Sequence, residues 1–321
     1  MDDQPISSIG IPVVDLSSCS VGRDRGTEEW HRLCTTVREA CETYGCLEVV
    51  YDKIPSQLRE ETFALIRQLF ELPSETKRKN TSTKPFHSYE GDLPIIPLYE
   101  STNIGDASNS ESLRSFTELM WPDGQPQFFN TIGSVVTLLE ELNQTICCLI
   151  LDSYGLGGDM NSIMECTTLF RMIKYKAPPN GDTTEGLTPH VDKDMCTLLA
   201  GDGVSGLEIE TKDGEWVKLF PSTNSYTFMV GDALMVWSNR RLRGVNHRVT
   251  MSGDKERYTF GAFSFPVDGT IVKPVKELLD EDHPPLFKEF NYREFLNFSY
   301  TYEAFVIGSD KLVQAFAGTG N

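Results

Sequence analysis

The stretch from His247 to Phe265, "HRVTMSGDKERYTFGAFSF", contains two β-prone runs, 247–251 and 258–265, separated by the turn-forming residues Ser252-Gly253-Asp254. Short runs rich in Val, Thr, Tyr and Phe and bounded by Gly, Ser and Asp are typical of neighbouring strands. Short strands joined by short turns favour a sandwich or jelly roll over alternating βαβ units. The stretch therefore predicts the fold class of the core.

The β-prone pattern continues towards the N-terminus. Further runs occur at residues 169–175, 196–200, 207–210, 216–219, 226–230 and 233–237. Ahead of them, apolar residues at helical spacing predict helices over 27–44, 58–70 and 131–154, and short apolar runs predict strands at 11–16 and 47–51. Residues 80–130 have no clear period and predict ordered loops with short pieces of structure.

These elements predict a mixed α and β protein with a double-stranded β-helix, or jelly-roll, core against which a helical N-terminal region packs. We expect a mostly helical region at residues 1–125, the jelly-roll core with a long supporting helix at 126–270, and a C-terminal loop and helix at 271–321. The sequence contains no internal repeat or linker, so the three regions are expected to form a single integrated unit.

Composition restricts the partners of the 321-residue chain. Its net charge of -18 would repel a phosphate backbone, so nucleic acid is not an expected partner. No apolar run approaches the roughly 18 residues of a membrane span, and no apolar signal segment follows the acidic N-terminus, which predicts a cytoplasmic protein without a membrane partner. We expect a monomer, and its eight cysteines are expected to be free, buried thiols.

His190 and Asp192 predict part of a metal site. In an extended segment, residues two positions apart point to the same face, so the imidazole and the carboxylate can converge. His247, 55 residues after Asp192, can supply a third ligand, because strands distant in sequence become neighbours in a jelly roll. Two histidines and one carboxylate leave positions open on the metal, as in non-haem Fe(II) oxygenases. A solvated, charged turn is the alternative for "TPHVDKD" (188–194).

Arg257 and Thr259 share one face of a predicted strand, ten and twelve residues after His247. A buried guanidinium needs an anionic partner, which is either a protein carboxylate or an organic acid whose other end chelates the metal. We favour the organic acid because the metal ligands lie on neighbouring strands. Tyr175, fifteen residues before His190, can donate its phenol to the same acid or simply fill the core.

Together these residues resemble the signature of the plant 2-oxoglutarate- and Fe(II)-dependent dioxygenases, which is H-x-D, about 55 residues, H, about ten residues, and R-x-S. The resemblance covers nearly the whole chain, from an I-P-x-x-D-L opening at 11–16 to an F-x-L-P type of segment near 70–73. "YGCLEVVYDKI" (44–54), "TSTKPFHSYEG" (81–91), "SFTELMWPDG" (115–124) and "RMIKYKAPP" (171–179) are similar to the AOP-like clade. That clade includes glucosinolate side-chain, auxin-oxidising and steroidal-alkaloid hydroxylating enzymes.

The resemblance implies an iron site and a cosubstrate site. The residues that match the Fe(II) ligands of the family are His190, Asp192 and His247. Those that match its 2-oxoglutarate contacts are Arg257, Thr259 and Tyr175. The implied cosubstrates are 2-oxoglutarate and O2, with ascorbate as reductant. Thr259 replaces the usual serine and keeps the hydroxyl, whereas Ile173 replaces an asparagine found in many relatives and removes one polar contact.

The resemblance also implies the reaction, which is hydroxylation, desaturation or cyclisation of a small plant specialised metabolite or hormone with release of succinate and CO2. By position, the candidate walls of the substrate pocket are Phe86, His87, Tyr89, Lys174, Phe263 and Phe265. An ordinary core role is the alternative for each of them, and His87 is of interest because its loop borders the pocket in relatives.

Two other classes of protein would use the same residues. Zinc accepts a His/Asp/His set and activates water for hydrolysis, but this interpretation leaves Arg257 without a role. A dioxygenase-like fold retained as a ligand receptor would be expected to lose metal ligands, and all three are present. We therefore expect an enzyme, and specifically an oxidoreductase.

Overall fold

The computed structural model describes residues 10–157 and 163–320, which form two main β-sheets, a two-stranded sheet and a layer of helices. The helices are α1 (Val21–Asp24), α2 (Glu28–Thr43), α3 (Ser56–Glu71), α4 (Ser74–Lys77), α5 (Ser110–Met120), α6 (Pro126–Ser153), α7 (Asp232–Trp237), α8 (Tyr292–Phe298), α9 (Tyr302–Ile307) and α10 (Leu312–Ala317). The strands are β1 (Val13–Asp15), β2 (Cys46–Val50), β3 (Glu90–Gly91), β4 (Tyr99–Ile104), β5 (Cys166–Tyr175), β6 (Thr184–His190), β7 (Cys196–Gly201), β8 (Leu207–Glu210), β9 (Trp216–Lys218), β10 (Ser225–Val230), β11 (His247–Met251), β12 (Arg257–Pro266), β13 (Ile271–Val272) and β14 (Phe290–Asn291).

The two main sheets enclose one apolar layer. The larger sheet has the strand order β1-β2-β10-β7-β12-β5-β4-β3, and the smaller sheet has the order β6-β11-β8-β9. Ile173 and Met229 of the larger sheet pack in one cluster with Ile209, Val249 and Met251 of the smaller sheet. This double-sheet arrangement confirms the predicted jelly-roll core.

A helical layer covers the other face of the larger sheet. Phe63 of α3 packs on Phe260 of β12 with ring centroids 4.9 Å apart, and Phe170 of β5 lies 5.7 Å from the same ring. The long helix α6 packs against α2, α3 and α5. The helix α2 begins where the Thr27 hydroxyl accepts from the Trp30 backbone N–H, which is a typical N-cap. The predicted region boundaries at 125/126 and 270/271 stay predictions.

Helix α6 is long and apolar enough, by length and composition, to cross a membrane. However, 61% of its most apolar window is buried inside the protein. A helix that is apolar on most sides and enclosed by other helices is also what the centre of a large core requires. The structure therefore gives no reason to change the prediction that the protein has no membrane partner, which stays a prediction.

One prediction about local structure was wrong. The run 233–237 was predicted as a strand, but it forms α7, in which all six residues are buried. A short apolar run that is buried on all sides has no period that separates helix from strand. The region 80–130, predicted as ordered loops with short pieces of structure, contains β3, β4, α5 and the start of α6. The polar sequence of β4, "YESTNI", concealed a fully buried strand because its side chains are paired inside the protein, as with Asn103 and Arg171.

The cysteines are as predicted. All eight are free thiols, and seven of them are buried. Burial raises the pKa of the Cys34 thiol to about 11 and that of the Cys46 thiol to about 12. They therefore stay protonated at neutral pH and act as small apolar groups of the core.

Candidate active site

Two histidines and one aspartate meet at the end of the smaller sheet. His190 is the last residue of β6 and His247 is the first of β11, and the two are register partners in the antiparallel pair. Asp192 follows two residues after β6, and its Oδ1 lies 3.7 Å from Nε2 of His190 and 3.9 Å from Nε2 of His247. One ligand atom from each residue therefore lies within 4.8 Å of the other two, as the sequence pattern predicted.

Backbone carbonyls orient both imidazole rings. Nδ1 of His190 lies 2.8 Å from the carbonyl oxygen of Thr188, and Nδ1 of His247 lies 3.1 Å from that of Val245. Because a carbonyl only accepts hydrogen bonds, each Nδ1 carries the proton and each Nε2 presents its lone pair to the cluster. Metal-bound histidines are held in this way, with the other ring N–H donating to a fixed acceptor.

The protonation states of the cluster also suit a metal. Burial, reinforced by the neighbouring His247, lowers the pKa of His190 to about 3, so the ring is neutral at ordinary pH. Burial alone would raise the pKa of Asp192, but the two imidazoles and the Thr197 hydroxyl lower it overall. Two imidazoles and one carboxylate form the donor set of non-haem Fe(II) sites, so the residues present fit Fe(II).

A buried threonine links Asp192 to a second aspartate. The Thr197 hydroxyl lies 2.6 Å from Oδ2 of Asp192 and 3.1 Å from Oδ2 of Asp194. Asp194 is fully buried, and burial raises its pKa well above the usual value. The Thr197 hydroxyl is within donating distance of both carboxyls, so it fixes Asp192 relative to Asp194. The sequence alone assigned no role to Asp194.

Lys193, which also had no predicted role, ties the residues next to Asp192 to other parts of the fold. Its Nζ lies 2.7 Å from Oδ2 of Asp232 at the start of α7 and 3.1 Å from the carbonyl oxygen of Ser309. Both partners of the ion pair are buried. The pair therefore fixes the residue that follows Asp192 to α7 and to the C-terminal segment.

Replacing Lys193 with methionine is expected to lower the free energy of unfolding by about 3–5 kcal/mol, because Asp232 would stay buried without its partner. Chemical denaturation would measure the loss. Lys176→Met is the matched control, since Lys176 is exposed and its contact with Asp92 is 3.6 Å long. Equal stabilities of the two variants would show that the buried pair does not anchor the segment.

The residues predicted to hold the cosubstrate lie on the larger sheet. Arg257 of β12 and Tyr175 of β5 are register partners, with the guanidinium carbon 5.3 Å from the centre of the Tyr175 ring. Within residues 10–157 and 163–320, buried Arg257 pairs with no carboxylate, and Nε donates only to the carbonyl of Val204 at 3.2 Å. The Thr259 hydroxyl is also buried there without a partner. Buried polar groups without partners are typical of a ligand site.

Tyr175 connects this region to the metal cluster. A Cβ placed on Gly186 of β6 would lie 3.0 Å from Cδ1 of Tyr175, so this glycine allows β6 to approach the ring closely. The tyrosine therefore lies between the strand that ends in His190 and the strand that bears Arg257.

A cavity of about 450 Å³ opens beside the three ligand residues. Three of the six predicted pocket residues line it, namely Phe86, Phe263 and Phe265. The other three have different neighbours. His87 lies edge-on behind Phe265, the Tyr89 hydroxyl donates to Glu100, and Lys174 pairs with Glu256 on the other face of β5. Burial lowers the pKa of His87, so its ring is neutral.

Sequence reasoning missed Arg171, which also lines the cavity. Arg171, Ile173 and Tyr175 occupy alternate positions of β5 and therefore share one face. That period of two was a usable signal, since the face was already assigned to the site through Tyr175. The segment 299–312 was missed as well, and its Ser309 and Leu312 form part of the cavity wall.

A jelly roll with two histidines and one carboxylate at the end of a sheet is the architecture of a non-haem iron oxygenase. Residues 165–266 match the 2OG-Fe(II) oxygenase superfamily, and residues 11–117 match the N-terminal region of the non-haem dioxygenases of morphine synthesis. A relative from Arabidopsis thaliana, "Probable 2-oxoglutarate-dependent dioxygenase AOP1", is 39% identical over 305 residues, which cover 92% of this chain and 93% of the relative. The chain therefore belongs to the 2OG-Fe(II) oxygenase superfamily.

Solved structures agree with this assignment. The rice dioxygenase for auxin oxidation is 29% identical, with a TM-score of 0.79 over 96% of this chain and all of the rice chain. Its Arabidopsis thaliana counterpart, solved with 2-oxoglutarate, is 26% identical, with a TM-score of 0.77 over 85% of this chain and 99% of the other. The protein is thus an oxidoreductase that uses Fe(II) and 2-oxoglutarate, which confirms the predicted oxygenase over a zinc hydrolase or a receptor.

Proposed function

We propose that the protein oxidises a C–H bond of a small carboxylic acid of the hormone or specialised-metabolite class, and that Arg171 binds the carboxylate of this substrate. The observation that carries the proposal is a guanidinium without a carboxylate partner in the wall of the cavity beside the metal ligands. When bound, Fe(II) with 2-oxoglutarate and O2 supplies the oxidant, and succinate and CO2 are released.

The contacts of Arg171 leave part of its guanidinium available. Nε donates to the Asn103 side-chain oxygen at 2.8 Å, and Nη2 donates to the carbonyl oxygen of Phe86 at 2.9 Å. Both acceptors are neutral, and Nη1 has no hydrogen-bond acceptor among the residues that the structure describes. The two bonds fix the plane of the guanidinium, so the free side is already oriented for an anion.

Glu90 lines this cavity together with Asp192 and Asp194, and it is the acid outside the segment of the metal ligands that would oppose an anionic ligand. Its Oε1 accepts from the Tyr300 hydroxyl at 3.3 Å, and it forms no ion pair with Arg171 within 4 Å. Burial acts to lower the pKa of Arg171, but Tyr99 and Glu90 raise it on balance, so the side chain stays a cation. A substrate carboxylate would give this half-buried cation the close partner that Glu90 does not provide.

Aromatic rings next to Arg171 suit the carbon skeleton of such an acid. The guanidinium carbon lies 5.3 Å from the centre of the Phe263 ring and 6.0 Å from that of Phe86. A cavity with apolar, aromatic walls and few polar groups is typical of a small-molecule site. The auxin-oxidising relatives from rice and Arabidopsis thaliana support a substrate of this class.

We also propose that Arg257, Thr259 and Tyr175 hold 2-oxoglutarate. The buried guanidinium of Arg257 would bind the carboxylate of 2-oxoglutarate that is further from the metal. In the described part of the chain the Thr259 hydroxyl has no partner, and it lies two residues further along the same face of β12. Tyr175, across the register from Arg257 and close to β6, would donate to the carboxylate nearer the metal. A monomeric state and a cytoplasmic location remain predictions.

The substrate proposal is tested with jasmonic acid, indole-3-acetic acid and their methyl esters, incubated with the protein, Fe(II), 2-oxoglutarate and ascorbate. Mass spectrometry detects products that gain one oxygen or lose two hydrogens, and succinate release measures turnover. We expect a free acid to be preferred over its ester, and Arg171→Gln to raise the KM for that acid by about 10- to 100-fold because one charged contact is lost.

Lys174→Gln is the matched control, because it removes a cation from the same strand on the opposite face. In this control the preference for the acid should persist, whereas in Arg171→Gln the acid and the ester should become similar substrates. An ester that wild-type protein oxidises as well as the acid would contradict a carboxylate site at Arg171.

A further inference from the structure

A second cavity, of about 630 Å³, lies on the other side of the segment that bears the metal ligands. Four cationic side chains line it, namely Lys212, Arg240, Arg241 and Arg243. The chain as a whole has a net charge of -18, so four cations around one small cavity stand out from the rest of the molecule. Nothing in the oxygenase reaction uses them.

These cations lack anionic partners. In residues 10–157 and 163–320, none of the four forms an ion pair with a carboxylate within 4 Å. Arg241 donates through Nη2 to the carbonyl of Leu278 at 3.1 Å, and Arg243 donates through Nη2 to the carbonyl of Glu210 at 2.7 Å. These bonds hold each guanidinium in place, but they leave its charge without a counterion.

Two guanidinium nitrogens are buried without any acceptor. Nε of Arg241 and Nη1 of Arg243 have no hydrogen-bond partner in the described part of the chain. Burial also lowers the pKa of Arg243, which reflects the unfavourable desolvation of its charge. Both nitrogens are closed off from solvent, so an anion in the cavity would meet the remaining N–H groups of these two guanidiniums, whose side chains line it.

The turn that presents Arg240 is fixed in an unfavourable conformation. Asn239 and Arg240 both have positive φ, 51° and 66°, which side-chain-bearing residues rarely adopt. The Asn239 amide stabilises the turn by donating to the carbonyl of Pro284 at 3.0 Å and accepting from the Leu286 N–H at 2.9 Å. The Arg240 guanidinium lies 5.7 Å from the Phe287 ring. The position of this exposed cation is therefore held by the fold.

Two acids also border the cavity, Glu42 and Asp310. Glu42 accepts from the Tyr154 hydroxyl at 2.8 Å, and neither acid forms an ion pair with the four cations. Four positive and two negative side chains give the wall a surplus of two positive charges. A wall of this kind attracts a compact anion that carries at least two charges.

We propose that this cavity binds a small multivalent oxyanion, a phosphate-bearing metabolite or a polycarboxylate, through Arg240, Arg241 and Arg243. Planar guanidinium groups suit both phosphate and carboxylate oxygens, and a volume of this size holds an ordinary metabolite. The site is distinct from the 2-oxoglutarate site, which uses Arg257. Val191, which lies between two ligand residues, borders both this cavity and the one beside the metal ligands.

The test is isothermal titration calorimetry on the full chain at constant ionic strength, with inorganic phosphate, pyrophosphate and tricarballylate as separate probes. Each titration is repeated with the Arg257→Gln variant, so that heat from binding at the 2-oxoglutarate site is recognised by its loss. We expect at least one probe to bind with one-to-one stoichiometry. Arg240→Ala is expected to weaken it several-fold, and Arg240→Ala with Arg241→Gln at least about tenfold, because each removes one charged contact. The phosphate and tricarboxylate arms identify which kind of oxyanion is preferred.

The matched control is the double variant Arg32→Ala with Arg114→Ala, which changes the net charge equally but at exposed positions elsewhere. Its affinity should equal that of the wild type. Arg240 is exposed, so Arg240→Ala gives an answer even if the double variant at the cavity does not fold. Heats that are absent, or that fall equally in the control and cavity variants, would overturn the proposal. Binding of long polyanions alone would overturn it as well.

Discussion

Replacing Asp192 with alanine will abolish the Fe(II)-dependent turnover of 2-oxoglutarate. Asp192 is the one carboxylate of the three-residue cluster, and its Oδ1 lies within 4 Å of both histidine Nε2 atoms. Loss of a group that merely orients a ligand typically costs about 10- to 100-fold in metal affinity, so loss of the ligand itself should cost more. Succinate release should therefore fall to the level measured without protein.

A spectroscopic readout separates loss of the metal site from loss of the fold. Under anaerobic conditions, wild-type protein with Fe(II) and 2-oxoglutarate should give a weak visible charge-transfer band. Asp192→Ala and His190→Ala should remove this band while thermal unfolding remains cooperative. His283→Ala is the control. This histidine is exposed, it contacts Asp280, and it is not one of the three residues of the cluster. A band that survives both ligand replacements would refute the assignment of the metal site.

Replacing Arg257 with glutamine will raise the KM for 2-oxoglutarate by about 10- to 100-fold or more, with little change in the KM for the substrate. The guanidinium is buried, its Nε donates to the Val204 carbonyl, and its carbon lies 5.3 Å from the centre of the Tyr175 ring. Glutamine keeps a polar group but loses both the charge and the fork that can bind a carboxylate at two points. Steady-state kinetics with each compound varied in turn would measure the effect.

Thr259 provides a graded companion to this experiment. Thr259→Ser keeps the hydroxyl and should leave the KM for 2-oxoglutarate close to that of the wild type, whereas Thr259→Val should raise it. Arg67→Gln is the control for Arg257, because Arg67 is exposed and stacks on the adjacent Tyr258 ring. Equal increases in the KM for 2-oxoglutarate and for the substrate in Arg257→Gln would show that Arg257 is a structural residue.

Elements with a clear period were predicted well from the sequence. The amphipathic pattern of 27–44 became α2 (Glu28–Thr43), and the β-prone run 247–251 became β11 with the same bounds. In each of these elements one face is more buried than the other. The alternation of apolar and polar residues therefore shows which face is directed to the core. The prediction failed at α7 because all six of its residues are buried, so no alternation of apolar and polar residues shows the period of the element.

The sequence predicted some residues of the candidate site and missed others. The spacing of His190, Asp192 and His247 predicted their meeting, because two of them share a strand end and the third begins a neighbouring strand. Arg171 was missed although the period of two places it on the same face of β5 as Tyr175, because that period does not show which groups its guanidinium contacts. Its role depends on Asn103 and Phe86, which lie 68 and 85 residues away along the chain.

Periods and spacings along the chain were enough to predict the class of fold and the metal ligands, and the resemblance to a known family implied the type of reaction. The charges and partners of buried groups became clear only in the folded structure. Lys193 and Asp194 look like parts of a solvated turn, yet one forms a buried ion pair with Asp232 and the other holds Thr197 against Asp192. Burial and pairing depend on which distant segments pack together, and packing determines whether a charge is solvated, paired or left for a ligand.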